Sequence, residues 1–413
     1  MHKETLSIVI AGHIDHGKST LIGRMMLETH SLPEGKIAEI KNISRQLGKD
    51  TQLAFLTDQL EEERKQDKTI DTTQAVIHTR RQTYILIDAP GHAEFIKNML
   101  TGASQAEAAI ILVDATAGLQ EQTQRHAYLI SLLGIRDVIV GLNKIDLIDD
   151  HAKEAVFKET RQRLLRYLQS IKIAPSFVIP LSAKEGTNIS RRSRRLQWYR
   201  GPCLLEALDL LNPKMRTSTT ALRFAVQDRY DVNGEKITAG KVLSGTIKQK
   251  QALGLFPSRE DVRVQSVRIF GKNVTHAGAG QNVGLILEDP LSAHRGQVIA
   301  PKDKPPCVTD RFEGEMFWMS ESPLQINTPF SLRCSTQEIS CIAEKIRRRI
   351  DSSTLSTIEE NASLLRAYET GIIVFKTAQP IALEPFSSLH ELGRFVVEEK
   401  NEMRGAGIII RAL

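Results

Sequence analysis

Long apolar runs are missing from this chain. No stretch approaches the roughly 18 apolar residues of a membrane span. The first apolar run, within LSIVIAG at 6–12, is too short for the apolar segment of a signal peptide. Cysteine is scarce as well. Cys203, Cys307, Cys334 and Cys341 are the only four, with no CxxC pair and no metal-ligand spacing. That excludes a disulfide scaffold, and free thiols in a reducing compartment are expected, hence a cytoplasmic protein. Internal repeats are absent too. The charge excess is small: +6 spread over 413 residues permits an acidic or nucleic-acid partner without deciding for one.

What is present supports buried cores. Hydrophobic residues make up 41% and charged residues 25%, which excludes disorder, and the length allows two or three domains. Over the first 210 residues, short apolar runs alternate with helix-length segments. The runs are LSIVIAG (6–12), YILIDAPG (84–91), AAIILVDA (108–115), DVIVGLNK (137–144) and FVIPLSA (177–183); helices are predicted at 18–29, 93–105, 121–133, 151–170 and 203–211. Such alternation predicts an α/β domain with a mostly parallel sheet covered on both faces, ligands binding at the carboxyl ends of its strands. After Asn212-Pro213 the chain becomes β-rich and glycine-punctuated, as two barrels would be. The expected domains are 1–214 (nucleotide-binding), 218–303 and 308–413 (β-barrels). CIAEKIRRRID (341–351) fits either a helix or a long basic strand.

The first strand runs into GHIDHGKS (12–19), which fits G-x-x-x-x-G-K-[ST]. In that pattern Gly12 and Gly17 let the backbone N–H groups of His13, Ile14, Asp15 and His16 wrap phosphates at a helix N-terminus. Lys18 would reach the β- and γ-phosphates, Ser19 would ligate Mg²⁺, and Thr20 continues the cradle. His13 and His16 sit inside this loop, which argues against a metal pair. Four other Gly-Lys pairs, at 35, 48, 240 and 271, lack the following Ser or Thr, so one nucleotide of this kind is expected.

Later strands end in further polar motifs. DAPG (88–91) places Asp88 to hold the Mg²⁺ shell and the Gly91 N–H to sense a γ-phosphate; His92 follows. NKID (143–146) offers the Asp146 carboxylate to two donors on guanine that adenine lacks, with Asn143 and Lys144 bracing the loop and base. SAK (182–184) presents the Ala183 N–H to the guanine carbonyl, flanked by Ser182 and Lys184. Four motifs in order, each at a strand end, point to GTP.

GHIDHGKST, DAPGH, NKID and SAK together resemble the translational GTPases, relatives of elongation factors Tu and 1-alpha. The resemblance spans essentially the full chain. It implies GTP hydrolysis with Mg²⁺, with His92 positioning the attacking water. Within that group, LAFLTDQLEEERKQDKTID (53–71), IDAPGHAEFIKNMLTGAS (87–104), RSRRLQWYRGPCLLEAL (192–208), LRFAVQD (222–228) and ELGRFVV (391–397) look like the GTPase subunit of bacterial sulfate adenylyltransferase. That likeness implies a smaller partner subunit that makes adenosine 5′-phosphosulfate and pyrophosphate from ATP and sulfate, driven by GTP hydrolysis here. The stretch EERKQDKTID (62–71) then matches the switch that closes on the γ-phosphate, with Thr69 reaching Mg²⁺. Lys68 stands where relatives carry isoleucine; it faces solvent or a partner, or supplies charge toward the γ-phosphate. The basic run RRSRRLQWYR (191–200) reads as an exposed loop, a partner-docking loop or an RNA patch. The alternatives are an elongation-factor-like translational GTPase or a regulatory GTPase of another nucleotide-activating or sulfation partner. A membrane partner is not expected, and the sulfate-activation reading argues against nucleic acid.

Overall fold

The structure is a computed structural model that describes residues 5–32, 74–79, 81–88, 106–211, 221–232, 234–289, 293–400 and 402–413. It divides into two compact units, Met1–Pro213 and Lys214–Leu413.

The first unit is built on a six-stranded sheet with order β2-β3-β1-β4-β5-β6. Its strands are β1 (Thr5–Gly12), β2 (Gln74–His78), β3 (Thr83–Asp88), β4 (Ala108–Asp114), β5 (Asp137–Asn143) and β6 (Phe177–Pro180). All neighbours pair in parallel except the edge strand β2, whose alternating QAVIH buries Ala75 and Ile77 and exposes the residues between. Its helices among the described residues are α1 (Lys18–Glu28), α2 (Glu121–Leu132), α3 (Lys153–Ser170) and α4 (Leu204–Leu210). The helix expected at 93–105 lies outside the described residues.

Continuous apolar strands are needed because both faces are covered. On one face Ile8, Ile10, Ile110 and Leu112 join Leu21 and Met25 of α1 and Leu204 and Leu208 of α4 in one core. The intervening Val9, Ile111 and Val140 are equally buried, with α2 packed over β1 and β4. All seven residues of β4 are buried, so this strand carries polar chemistry only at its end, Asp114. Parallel pairing brings the carboxyl ends of the strands to one edge: Ile10 lies opposite Asp88, and Asp114 opposite Asn143.

The second unit contains two antiparallel barrels. In the first, Ala252–Phe256, Val298–Ala300, Arg223–Val232, Glu235–Ser244, Asn282–Leu287 and Glu260–Ile269 pair in that order, and the last closes on the first. In the second, Pro329–Cys334, Arg394–Glu399, Glu402–Ala412, Cys307–Trp318, Glu369–Leu383 and Gln337–Asp351 close likewise. Closure removes exposed sheet edges. The second barrel is filled by an aromatic cluster in which Phe312 stacks on Phe375 at 5.1 Å and Phe395 meets both edge-on.

The segment 341–351, which fits helix or strand by pattern, is strand. Two bulges, between Ala343 and Lys345 and between Ile346 and Arg348, break its alternation. They leave Ala343 and Ile346 both pointing inward at a helix-like spacing.

Between the barrels, Ala225, Phe256, Val298 and Ala300 pack against Ala382 and Leu392. Arg223, 7% exposed, crosses this seam: it pairs with Glu384 at 2.7 Å and donates to the carbonyls of Leu222, Lys304 and Pro305.

Candidate functional site

The strand-to-helix turn after β1 has the backbone geometry of an anion cradle. Asp15 (φ 63) and Gly17 (φ 89) are both left-handed, which turns successive N–H groups toward one point ahead of α1. Gly12 is required by space: a Cβ there would lie 2.4 Å from the Leu112 carbonyl oxygen of neighbouring β4. A Cβ on Gly17 would lie 2.6 Å from Asn143 Nδ2. Both glycines of the motif are thus fixed by close neighbours as well as by torsion.

Lys18 is 9% exposed, and its Nζ donates to the Gly12 and His13 carbonyls, each at 3.0 Å. Burial pushes its pKa down, while the charges of Asp88 and Asp15 pull it back up. An ammonium held on two loop carbonyls beside a carboxylate is poised for anionic phosphate. Ile14 and Thr20 are half-buried, and Ser19 follows Lys18 in the first turn of α1.

The loop's histidines brace its underside. His16, 2% exposed, donates from Nδ1 to the Leu112 carbonyl at 3.1 Å, and burial lowers its pKa. His13 donates to the Ile14 carbonyl at 2.7 Å, its ring 5.2 Å from that of His16. His126 of α2, which the motif reading missed, is also 2% exposed and donates to the Gly12 backbone. Burial first, then the nearby Lys18 charge, pushes its pKa down to about 3. The QTQRHAY pattern carried a weak signal, a histidine on the apolar stripe of a helix behind the loop.

The base motifs converge at the same edge. Asn143, 3% exposed, joins them: Nδ2 donates to the His16 carbonyl at 2.8 Å, and Oδ1 accepts from the Ala183 N–H at 2.9 Å. One side chain therefore ties the phosphate loop to the 182–184 loop. In this arrangement the Ala183 N–H is engaged by Asn143, where the motif reading has it facing a guanine carbonyl. Arg24 of α1 grips the same loop from outside, donating to the Ala183 carbonyl at 3.0 Å and to the Lys184 carbonyl. Ser182 is buried, and its hydroxyl accepts from the Glu185 N–H at 3.1 Å. Asp146 sits in the short 3₁₀ turn Ile145–Leu147, with its Oδ1 buried and lacking any hydrogen-bond partner among the described residues. A buried carboxylate oxygen with spare capacity is costly unless a ligand donor meets it.

Lys144, at φ 61, reaches sideways to Asp114 at the end of β4, Nζ to Oδ2 2.7 Å. Asp114 is a second residue the motif reading missed. AIILVDAT ends its strand in aspartate as YILIDAP does, and that parallel is the signal that could have found it. Asp88 lies at the end of β3, beside Lys18 in the electrostatics of the site. Thr69, Gly91, His92 and Lys68 lie outside the described residues.

The arginine-rich run 191–200 is an irregular loop. Leu196 is buried, and Trp198 packs on Phe157 of α3 at 5.1 Å, while Arg191, Arg194 and Arg200 are exposed. Arg195 meets Glu185 at 3.8 Å and Arg192 donates to the Tyr199 carbonyl at 3.3 Å.

A phosphate-loop turn and a carboxylate with a partnerless buried oxygen on one edge of a parallel sheet have the layout of a P-loop nucleotide-binding protein. Comparison with known proteins narrows this. The elongation factor Tu GTP-binding domain matches residues 3–214, and the GTP-eEF1A C-terminal domain-like family matches 311–410. Elongation factor 1-alpha of Methanosphaerula palustris is 32% identical over 416 residues, covering 99% of this chain and 97% of that protein. Elongation factor 1-alpha of Thermococcus sibiricus is 33% identical over 422 residues, covering 99% and 98%. A crystal structure of sup35 complexed with GDP, 22% identical, aligns over 100% of this chain and 95% of that one with a TM-score of 0.47. The chain belongs to the translational GTPase family of elongation factors Tu and 1-alpha.

Proposed function

We propose that this chain is a GTP-hydrolysing switch of the elongation-factor 1-alpha type, in which nucleotide state governs the hold on a partner. The observation that carries the guanine assignment is the buried Asp146 Oδ1, which has no partner among the described residues, three residues from the Asn143 bridge that joins base and phosphate loops. Lys18 and the loop amides would take the phosphates, and Asn143, Lys144 and Asp146 the base. Mg²⁺ belongs to the reading. The Ser19 hydroxyl and the Asp88 carboxylate are the hard oxygen donors this ion takes beside phosphate oxygens, and β1–β3 pairing brings their strand ends together. Thr69 would complete its shell, and the ion would offset charge on the β- and γ-phosphates. His92 would position the attacking water, a role resting on the DAPGH match alone.

The test measures binding of GTP, GDP, ATP and xanthosine diphosphate to the purified chain, and phosphate release from GTP with and without His92→Ala. GTP and GDP should bind and ATP should not; ATP binding equal to GTP would sink the guanine assignment.

For the partner, the likeness to elongation factors 1-alpha over nearly the whole chain supports a translation-type load such as aminoacyl-tRNA. A second reading is supported by the segments 53–71, 192–208 and 391–397. They resemble the GTPase subunit of sulfate adenylyltransferase, whose smaller subunit would then be the partner. Two assays separate these readings: GTP-dependent capture of aminoacyl-tRNA, and GTP-dependent pyrophosphate release from ATP and sulfate with a co-purified small subunit. Each reading fails if its own signal does not depend on GTP.

A further inference from the structure

Asp114 lies outside every nucleotide motif, yet it is firmly held on the nucleotide edge of the sheet. Its side chain is 8% exposed, and Oδ1 accepts from both the Thr116 N–H (2.8 Å) and the Thr116 hydroxyl (2.7 Å). That leaves Oδ2 aimed at Lys144 Nζ, 2.7 Å away. The backbone fixes the pair as well. Asp114 and Asn143 are register partners across β4 and β5, and the Ala115 N–H donates to the Asn143 carbonyl at 2.8 Å. Lys144 therefore leaves its strand directly beside the carboxylate, and its left-handed φ of 61 belongs to this path.

We propose that Asp114 is a positioning residue for the guanine base, acting through Lys144. The inference rests on the GTP-binding reading. A lysine at a strand end is ordinarily a flexible, solvated side chain. Tethered at its tip to Asp114, Lys144 is held across the ends of β4 and β5, two residues before Asp146. A purine engaging Asp146 would meet a flat apolar stem already ordered, so binding would lose less side-chain freedom. The carboxylate suits this duty. Burial pushes its pKa up, but the Lys144 and Thr116 hydrogen bonds outweigh that and hold it below the ordinary carboxylate range. It therefore stays ionised at neutral pH. An exposed ion pair would do little; this one has its acid locked by three hydrogen bonds.

The experiment is a double-mutant cycle on the full chain, reading the Kd of a fluorescent GDP and a fluorescent GTP analogue for wild type, Asp114→Asn, Lys144→Ala and the double variant. Asp114→Asn should weaken both nucleotides equally, by on the order of tenfold, because the effect falls on the base they share. In the Lys144→Ala background the same change should have less than about a twofold effect, which a general loss of folding would not produce. An unchanged Kd in Asp114→Asn, or an equal loss with and without Lys144, overturns the inference. Should Asp114→Asn fail to fold, Thr116→Val, which keeps the carboxylate and removes only the hydroxyl bond to it, takes its place with a smaller loss in the same direction. Wild-type protein that binds neither nucleotide defeats the GTP reading itself, an outcome distinct from either result above.

Discussion

The two units put buried charge to different uses. In the sheet unit, polar groups at the nucleotide edge are held in position with capacity to spare: Lys18 rests on two loop carbonyls, and Asp146 Oδ1 has no partner among the described residues. In the barrel unit the corresponding groups close on one another. Glu313, 8% exposed, is clamped by Arg347 at 3.0 Å and Arg411 at 2.8 Å, and Arg223 is taken by Glu384 and three carbonyls. A closed pair stabilises or fixes geometry, while an open group is free to meet a ligand. Partnerless buried atoms occur in both units among the described residues, Thr336 Oγ1 and Thr370 Oγ1 of the barrels included, so an open group points to a site only where it coincides with a nucleotide motif, as at Asp146.

Substitutions that break this contrast should differ in what they change. Asp146→Asn is expected to have the largest effect, lowering GTP affinity about 10³-fold while raising affinity for xanthine nucleotides, whose base offers the reversed pairing. Competition binding reads both, and folding stability should not fall, because the buried oxygen that is changed has no partner among the described residues to lose. Arg223→Met should do the reverse. It leaves Glu384 and three carbonyls without their donor, at about 3 kcal/mol measured by denaturant unfolding. Nucleotide affinity should not move.

A pH series sharpens the contrast on the sheet side. His126 has its pKa depressed to about 3, so between that value and its ordinary 6.5 the unfolded chain binds a proton that the folded chain refuses. Stability from this residue is therefore full above about pH 6.5 and is lost as pH falls through that window. At pH 5 the loss is about 2 kcal/mol, and His126→Gln should flatten the acid limb by that amount in unfolding curves taken at pH 5 and pH 7. The smallest effect is expected from Arg24→Met, which releases the carbonyls of Ala183 and Lys184. GDP dissociation should accelerate about fivefold, in line with roughly 1 kcal/mol for surface-accessible hydrogen bonds, and stopped-flow displacement reads it.

Much of the sheet unit was legible in the sequence, because its candidate site residues sit in short motifs at fixed distances from strand ends. GHIDHGKS, NKID and SAK each fold as one turn, so spacing along the chain translates directly into spacing around the site. What supports those turns was not legible. Arg24 reaches carbonyls about 160 positions away, and Asn143 bonds a carbonyl 127 positions away, through backbone atoms that carry no side-chain signature. Asp114 was hidden for a related reason: its partner lies across a strand pairing that only the sheet order reveals. In the barrels, the bulges in Gln337–Asp351 disguised a strand as a possible helix, since a bulge shifts the phase of burial without changing composition.

The Asn143 bridge has one further consequence. Because a single carboxamide spans the His16 carbonyl and the Ala183 amide, ordering either loop orders the other. Thermodynamic linkage then requires the help to be mutual. Guanosine in the base pocket should raise the affinity for pyrophosphate by the same factor that pyrophosphate raises the affinity for guanosine. The intact nucleotide would bind more tightly than its two halves taken separately, and in an Asn143→Ala protein that reciprocal gain should fade for both halves together.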